Sequence, residues 1–390
     1  MRGQTTIADD FRIGLFYPTT RSIHNLSTLN KTLNRDPRPV QTHIDVIRAV
    51  EDAGLDFVFL ADGWGSRGPA TTTHELGDPM MMGPILASAL IAASQHVKVI
   101  NTMHMAWLHP LQIARIGANL DALSSGRWGM NAVSGPGFNP ALLQSVTTAT
   151  GHDEAYARAA ESMEIIRQAW SGDGEIDFQG DYFQAKGRMV GPIPNTPPVV
   201  VSAGASPAGC AFAGRYASFM YIPGESPAQL IRDRRETICS AANAAGRNGD
   251  EIKVILNLTV VLGETQAEAD ELSTRLRDTM DPDAFLEMVG TVSDMSTTYN
   301  SVLQQIESQK DLPFEDRPVC QVPIVDWTSG DPVGIADKFQ EVYDRGLCDG
   351  LALSFIRWQP EQIRLFGERV VPILTERGLW TRGDSRGWPW

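Results

Sequence analysis

Thr102 and Asn131 each stand near the end of a strand-like apolar run, 97–103 and 128–133, with a helix-period segment at 111–123 between them. In parallel α/β folds, side chains at the C-terminal ends of strands face the ligand crevice rather than the packed interior. A hydroxyl and an amide held there can orient a small polar reactant. A buried polar group without a partner costs roughly 1–3 kcal/mol, so a mutually satisfied core pair is the competing explanation. Asp62 follows the apolar run 57–60 and precedes Gly63-Trp64-Gly65, which suits a ligand hydroxyl that needs an acceptor and close backbone approach. A helix cap or turn former explains Asp62 equally well. His152 and Tyr156 bracket the start of a helix-period segment, where free N–H groups and a partial positive charge would make these two donors a phosphate site. Capping and packing are the ordinary roles for such residues. The apolar run 198–203 leads into Gly204-Ala205-Ser206-Pro207-Ala208-Gly209. There Ser206 is a natural N-cap and Pro207 a natural first helical residue, and the small residues up to Gly209 let backbone N–H groups approach an anion. This second phosphate cradle lacks the Walker lysine and the G-x-G-x-x-G spacing, which disfavours nucleoside triphosphates and a dinucleotide fold.

The elements that must position these residues alternate along the chain. Strand-like runs at 12–17, 57–60, 97–103, 128–133, 198–203, 219–222, 253–262 and 350–355 are separated by helical patterns, including 40–53, 85–93, 154–170, 226–245 and 334–343. Eight such repeats, over more residues than the roughly 250 typical of the fold, predict an α/β architecture, a (β/α)8 TIM barrel. A doubly wound sheet is the second choice. The segment 172–198 reads as a surface hairpin, 265–309 as charged helix broken at Pro282, and 310–332 as a Pro-rich connection. The expectation is one domain over 1–390, with insertions at about 172–198 and 265–332 and a tail at 376–390.

Composition narrows the class of partner. A formal charge of −14 over 390 residues disfavours nucleic acid and anionic membrane surfaces, because both would repel such a field. No apolar run reaches the roughly 18 residues of a membrane span, and MRGQTTIADD lacks the apolar core of a signal peptide, which points to the cytoplasm. Cys210, Cys239, Cys320 and Cys348 have no C-x-x-C spacing, so neither a disulfide framework nor a zinc site is expected. No metal is expected.

The runs FLADGWG, NTMH with LDALSSGRWGMNAVSG, GHDEAYARAAESMEIIRQAW, VVVSAGASPAG, and DGLALSF with FGERVVPIL occur in the order found in the bacterial luciferase-like superfamily. The chain resembles its two-component monooxygenases dependent on reduced flavin, among them the alkane, alkanesulfonate, dibenzothiophene-sulfone and pyrimidine enzymes. The resemblance implies FMN as cofactor, used as FMNH2 supplied by a separate NAD(P)H-dependent reductase, with dioxygen as co-substrate and a small organic molecule as substrate. It implies Asp62 beside the flavin, Asn131 at the isoalloxazine edge, and His152, Tyr156, Ser206 and the backbone at Gly209 on the phosphate. Thr102 and Asn131 match the pair that forms the dioxygen pocket of the pyrimidine branch, and so become the catalytic candidates. A peroxide formed at flavin N5 would cleave a carbon–heteroatom bond, whereas one at C4a would favour hydroxylation or Baeyer–Villiger chemistry. A homodimer or homotetramer is implied too. Two departures stand out. Ala155 replaces an arginine common in that branch, and GPGFNP replaces its Gly-Trp stretch, so Phe138 and Asn139 would reshape the substrate wall. Both weaken the case for uracil as substrate. The segments 18–39 and 310–332 are candidate lids, and His24, His104, His109 and Trp327 are candidate wall residues. The other readings are deazaflavin (F420)-dependent hydride transfer in the same superfamily and a flavin-binding protein without turnover.

Overall fold

Parallel strands β1 (Arg12–Tyr17), β2 (Phe57–Leu60), β3 (Lys98–His104) and β4 (Trp128–Val133) pair in sequence order. β5 (Val199–Ser202), β6 (Phe219–Ile222), β7 (Lys253–Leu262) and β8 (Gly350–Phe355) continue the series, and β8 pairs back onto β1, so the sheet closes as a TIM barrel. The structure is a computed structural model that describes residues 11–135, 151–222, 227–295, 308 and 327–383.

Side-chain alternation explains why these runs are strands buried on both faces. Ile13, Leu15, Val58, Leu60, Val99 and Met103 point outward into the layer between barrel and helices. Phe57, Phe59, Ile100, Val199, Val201, Phe219, Tyr221, Ile255 and Ala352 fill the barrel itself. Phe16, Phe59 and Tyr221 stack with centroids 4.9–5.5 Å apart.

The helices α1 (Val40–Ala53), α2 (Gly83–Ala93), α3 (Pro110–Ser124), α4 (His152–Ala169), α5 (Pro207–Tyr216) and α6 (Ala228–Ala244) follow the first six strands in turn. Their ends obey local rules: Gly54 closes α1 at φ 73°, and Pro110 opens α3 behind a His109–Gln112 capping box. After β7 come α7 (Gln266–Asp278) and α8 (Pro282–Met295), which restart at Pro282, then a short strand, Thr328–Gly330, added beside β7. α9 (Pro332–Asp344) precedes β8. The predicted surface hairpin is present as Glu175–Gln179 paired with Gln184–Arg188.

The loop 18–39, a candidate lid, is packed through many of its polar residues. Thr19, Thr20, Arg21, Ser22, Asn25, Ser27, Asn30 and Asn34 are buried. Arg21 is ion-paired to Glu75 and donates to the Asn34 carbonyl at 2.7 Å, and Trp358 donates to the Arg21 carbonyl at 2.6 Å. Its polar side chains satisfy its own backbone, which a composition-based reading of loops misses. The insertion is tied to the same mouth. Thr28 N donates to the Thr279 carbonyl, His74 bonds Asp281 at 2.6 Å, and the Glu287 carboxylate accepts from Ala70 N and Thr71 N. Trp380, fully buried, donates to Asp56 at 2.9 Å and fastens residues 379–383 to the base of the barrel. No helix among the described residues is long and apolar enough to cross a membrane.

Candidate active site

Thr102 and Asn131 are register partners on neighbouring strands, and both are buried. The Thr102 hydroxyl donates to the Leu60 carbonyl at 2.9 Å, and Asn131 Nδ2 donates to Thr102 Oγ1 at 3.2 Å. The carbonyl can only accept, so the hydroxyl proton is committed to it and Thr102 can only accept from Asn131. That polarity turns the Asn131 nitrogen toward Thr102 and leaves Oδ1 buried without a donor. The competing explanation, a satisfied core pair, thus describes half of the pair only. Asn101, one residue before, is the satisfied one: it accepts from Trp128 Nε1 at 2.6 Å and donates to the Thr102 carbonyl.

Asp62 lies one turn of chain beyond β2. Its two carboxylate oxygens accept from Gly63 N and from Gly83 N, the first residue of α2, each at 2.8 Å. It therefore caps α2 from across the mouth, a role foreseen beside the ligand role. Burial raises its pKa to about 6 against the lowering effect of those two N–H groups. His104 Nε2 approaches the Asp62 carbonyl at 3.1 Å, and burial holds this imidazole down at about 4, so it is neutral at physiological pH. A Cβ on Gly83 would lie 3.2 Å from Asp62 Oδ2 and 3.5 Å from the Thr102 carbonyl, so the α2 start, Asp62 and Thr102 meet at one point.

The two sequence-distant phosphate candidates converge. Ser206 caps α5 by accepting from Gly209 N at 3.0 Å. The Tyr156 hydroxyl, on the first turns of α4, lies against Gly204 and Gly209: a Cβ on Gly209 would sit 2.8 Å from it, and one on Gly204 would overlap it. Burial raises the Tyr156 pKa and a hydrogen bond with Ser134, three residues beyond Asn131, lowers it. His152 sits at the exposed rim, its ring 5.2 Å from that of Tyr156. The cradle is thus built from the starts of two helices, two glycines, a hydroxyl and a phenol, a donor set suited to a phosphate.

The wall candidates separate. His109 is spent on capping α3, where Nδ1 accepts from Leu111 N. Trp327 packs on α7, donating to Ser273 Oγ at 2.8 Å under Arg277. His24 lies at the mouth, stacked on Phe16 at 5.5 Å. Phe138, Asn139, Cys320 and most of the 310–332 segment lie outside the described residues. Cys210, Cys239 and Cys348 are free thiols, and no metal-holding group of three or more His, Cys, Asp or Glu occurs among the described residues.

Sequence reasoning missed a second polar group on the barrel wall. Asn257, Thr259 and Ser354 are buried and joined by hydrogen bonds of 2.8 and 3.2 Å. The signal was present as polar residues at period two inside LNLTVVL and GLALSF.

Residues 12–347 match the family model described as luciferase-like monooxygenase. The chain is 28% identical over 377 residues to the dimethyl-sulfide monooxygenase of Hyphomicrobium sulfonivorans, covering 84% of this chain and 78% of that one. It is 25% identical over 376 residues to a pyrimidine monooxygenase of a Bradyrhizobium strain, covering 94% and 97%. Among solved structures it superimposes on riboflavin lyase, crystallised with modified FMN and substrate riboflavin, with a TM-score of 0.81 at 26% identity over 96% of this chain and 93% of that one.

Proposed function

The chain belongs to the luciferase-like monooxygenase family, and on that premise we propose that it oxygenates a small organic substrate with dioxygen and FMNH2. A separate NAD(P)H-dependent reductase supplies the FMNH2, and the protein works as a homodimer or homotetramer, both taken from the family resemblance. The observation that carries the reading is the oriented Thr102–Asn131 pair with its buried, unpaired amide oxygen.

Such an oxygen is costly when empty of partners and calls for a ligand N–H. A reduced isoalloxazine carries N–H groups that the oxidised ring lacks, so Asn131 favours the reduced cofactor. Thr102 has no proton to give, because Leu60 holds it, so toward dioxygen the pair offers only the second Asn131 amide proton. Tyr156, Ser206 and the backbone N–H groups around Gly209 would hold the phosphate, with His152 at the rim, and Gly204 and Gly209 let the Tyr156 hydroxyl close on the start of α5. Asp62 would stand beside the ring and fix the start of α2 through its two N–H contacts. The FMN of the riboflavin lyase relative supports the same cofactor. The bound flavin supplies the redox chemistry, and the protein supplies orientation and exclusion of water.

The test is anaerobic equilibrium binding of FMNH2, oxidised FMN and reduced F420. FMNH2 binds about tenfold more tightly than FMN, the worth of one hydrogen bond to a buried acceptor, and Asn131→Leu removes that gap. Preference for reduced F420 over FMNH2 would replace the oxygenase with a hydride-transfer enzyme.

A further inference from the structure

The loops that follow β2 and β3 each carry a tryptophan, and the two indoles stack. Trp64 follows Leu60, the last residue of β2, and Trp107 follows His104, the last of β3; their ring centroids lie 5.0 Å apart with the planes inclined by 16°. Trp128, Trp170, Trp327, Trp358 and Trp380 are buried, whereas Trp64 is 40% exposed. Trp107 covers the stacked face of Trp64, so that exposure belongs to the opposite face and the ring edge. Gly63 and Gly65, on either side, have no side chain to cover it. The backbone beneath the rings is fixed. Asp62 accepts from Gly63 N and Gly83 N at 2.8 Å, His104 Nε2 donates to the Asp62 carbonyl at 3.1 Å, and Trp107 N donates to the His104 carbonyl at 3.2 Å. A surface held this way loses little further freedom when a molecule lies on it.

Size and shape decide what such a surface takes. A tryptophan buries about 150–250 Å², so the open part of Trp64 is on the order of 100 Å², against roughly 800 Å² per partner in a stable protein interface. That area matches one small ring system. A flat ring meets an indole face across its whole width, whereas a puckered ring touches it at a few atoms, so the face selects for planarity. We propose that the Trp64–Trp107 stack is a docking platform at the rim of the barrel mouth, which selects planar aromatic or heteroaromatic substrates over aliphatic ones by stacking on the open face of Trp64. That the docked molecule is the substrate rests on the oxygenase reading above; the stacking itself does not.

The test is 19F NMR titration of the full-length protein labelled with 5-fluorotryptophan, the Trp64 signal being assigned by its loss in Trp64→Phe. The probes are coumarin, octahydrocoumarin, which is the same bicyclic lactone with puckered rings, and tetramethylammonium, which an indole face attracts as a cation. Coumarin moves the Trp64 signal and binds at least about tenfold more tightly than octahydrocoumarin. Trp64→Leu, which keeps an apolar side chain, brings that ratio below about threefold, while Trp64→Phe, which keeps an aromatic face, holds it above. Coumarin binding is unchanged when oxidised FMN is present at saturation. Absence of coumarin binding, equal binding of the two lactones, a preference that survives Trp64→Leu, or tighter binding of tetramethylammonium overturns the proposal. So does loss of coumarin binding in FMN, which gives the platform to the flavin, or a Trp64 signal that moves with protein concentration alone, which gives it to a second copy of the chain. FMNH2 binding on the same preparations separates the two claims: its failure with the coumarin preference intact removes the oxygenase reading alone.

Discussion

Replacement of Gly204 by alanine tests the phosphate cradle through space alone. No positive φ is involved, so the effect is steric: the new Cβ would overlap the Tyr156 hydroxyl and lie 2.9 Å from the Gly209 Cα. Tyr156 is held by its packing on Phe212 at 5.8 Å between ring centroids, and Gly209 by the Ser206 cap, so neither yields freely. Overpacking of this kind costs about 1–3 kcal/mol, which corresponds to roughly 5- to 150-fold in affinity if the cost falls on the ligand-bound form. Fluorescence titration with FMN and with riboflavin separates the phosphate from the ring. In the wild type FMN binds more tightly than riboflavin; in Gly204→Ala the ratio collapses toward one while riboflavin affinity holds. Gly290→Ala, on α8, is the control, since its Cβ would meet nothing within 4 Å among the described residues and leaves the ratio unchanged. Equal losses for FMN and riboflavin, or an unchanged ratio in Gly204→Ala, would refute the placement of the phosphate.

Three further outcomes follow from the same geometry. Thr102→Val keeps the shape but leaves the Leu60 carbonyl and an Asn131 N–H without partners, so denaturant unfolding shows a loss of about 1–3 kcal/mol, and Thr102→Ser restores most of it. Asp62, raised to about 6 from 3.8, favours folding most when protonated; its contribution is fully present below about pH 4 and is lost as pH rises through 6. The stability difference between wild type and Asp62→Asn should therefore shift against the wild type by roughly 3 kcal/mol between pH 4 and 7, and an opposite slope in urea melts excludes the buried-acid account. Trp380→Ala removes a fully buried indole bonded to Asp56 and costs about 3–5 kcal/mol in thermal or denaturant melts, whereas a loss below 1 kcal/mol would show that residues 379–383 are not part of the packed base.

The barrel was legible because each strand carries a mostly apolar run and several helices their own stop or start, as at Gly54, His109-Pro110 and Ser206-Pro207. Thr102 and Asn131 were legible as polar residues at strand ends. Their hydrogen-bond polarity was not, because it depends on the Leu60 carbonyl of a third strand. The convergence of Tyr156 on Gly204 and Gly209 likewise needs the approach of two helices separated by the hairpin. The packing of the loop 18–39 was not legible because composition cannot show that its polar side chains bond to Glu75, Trp358 and Thr279, all distant in sequence. Asn257 and Ser354 escaped notice because single polar residues inside apolar strands look like noise until closure puts them side by side.

The central claim, that this barrel binds reduced FMN and directs dioxygen to it, is tested most directly by loading the protein anaerobically with FMNH2, mixing it rapidly with oxygenated buffer and recording spectra. Reoxidation in the wild type is predicted to pass through a transient species distinct from both reduced and oxidised FMN, and Thr102→Val shortens its life or abolishes it. Failure to bind FMNH2, together with binding of reduced F420 that is indifferent to oxygen, would contradict the account.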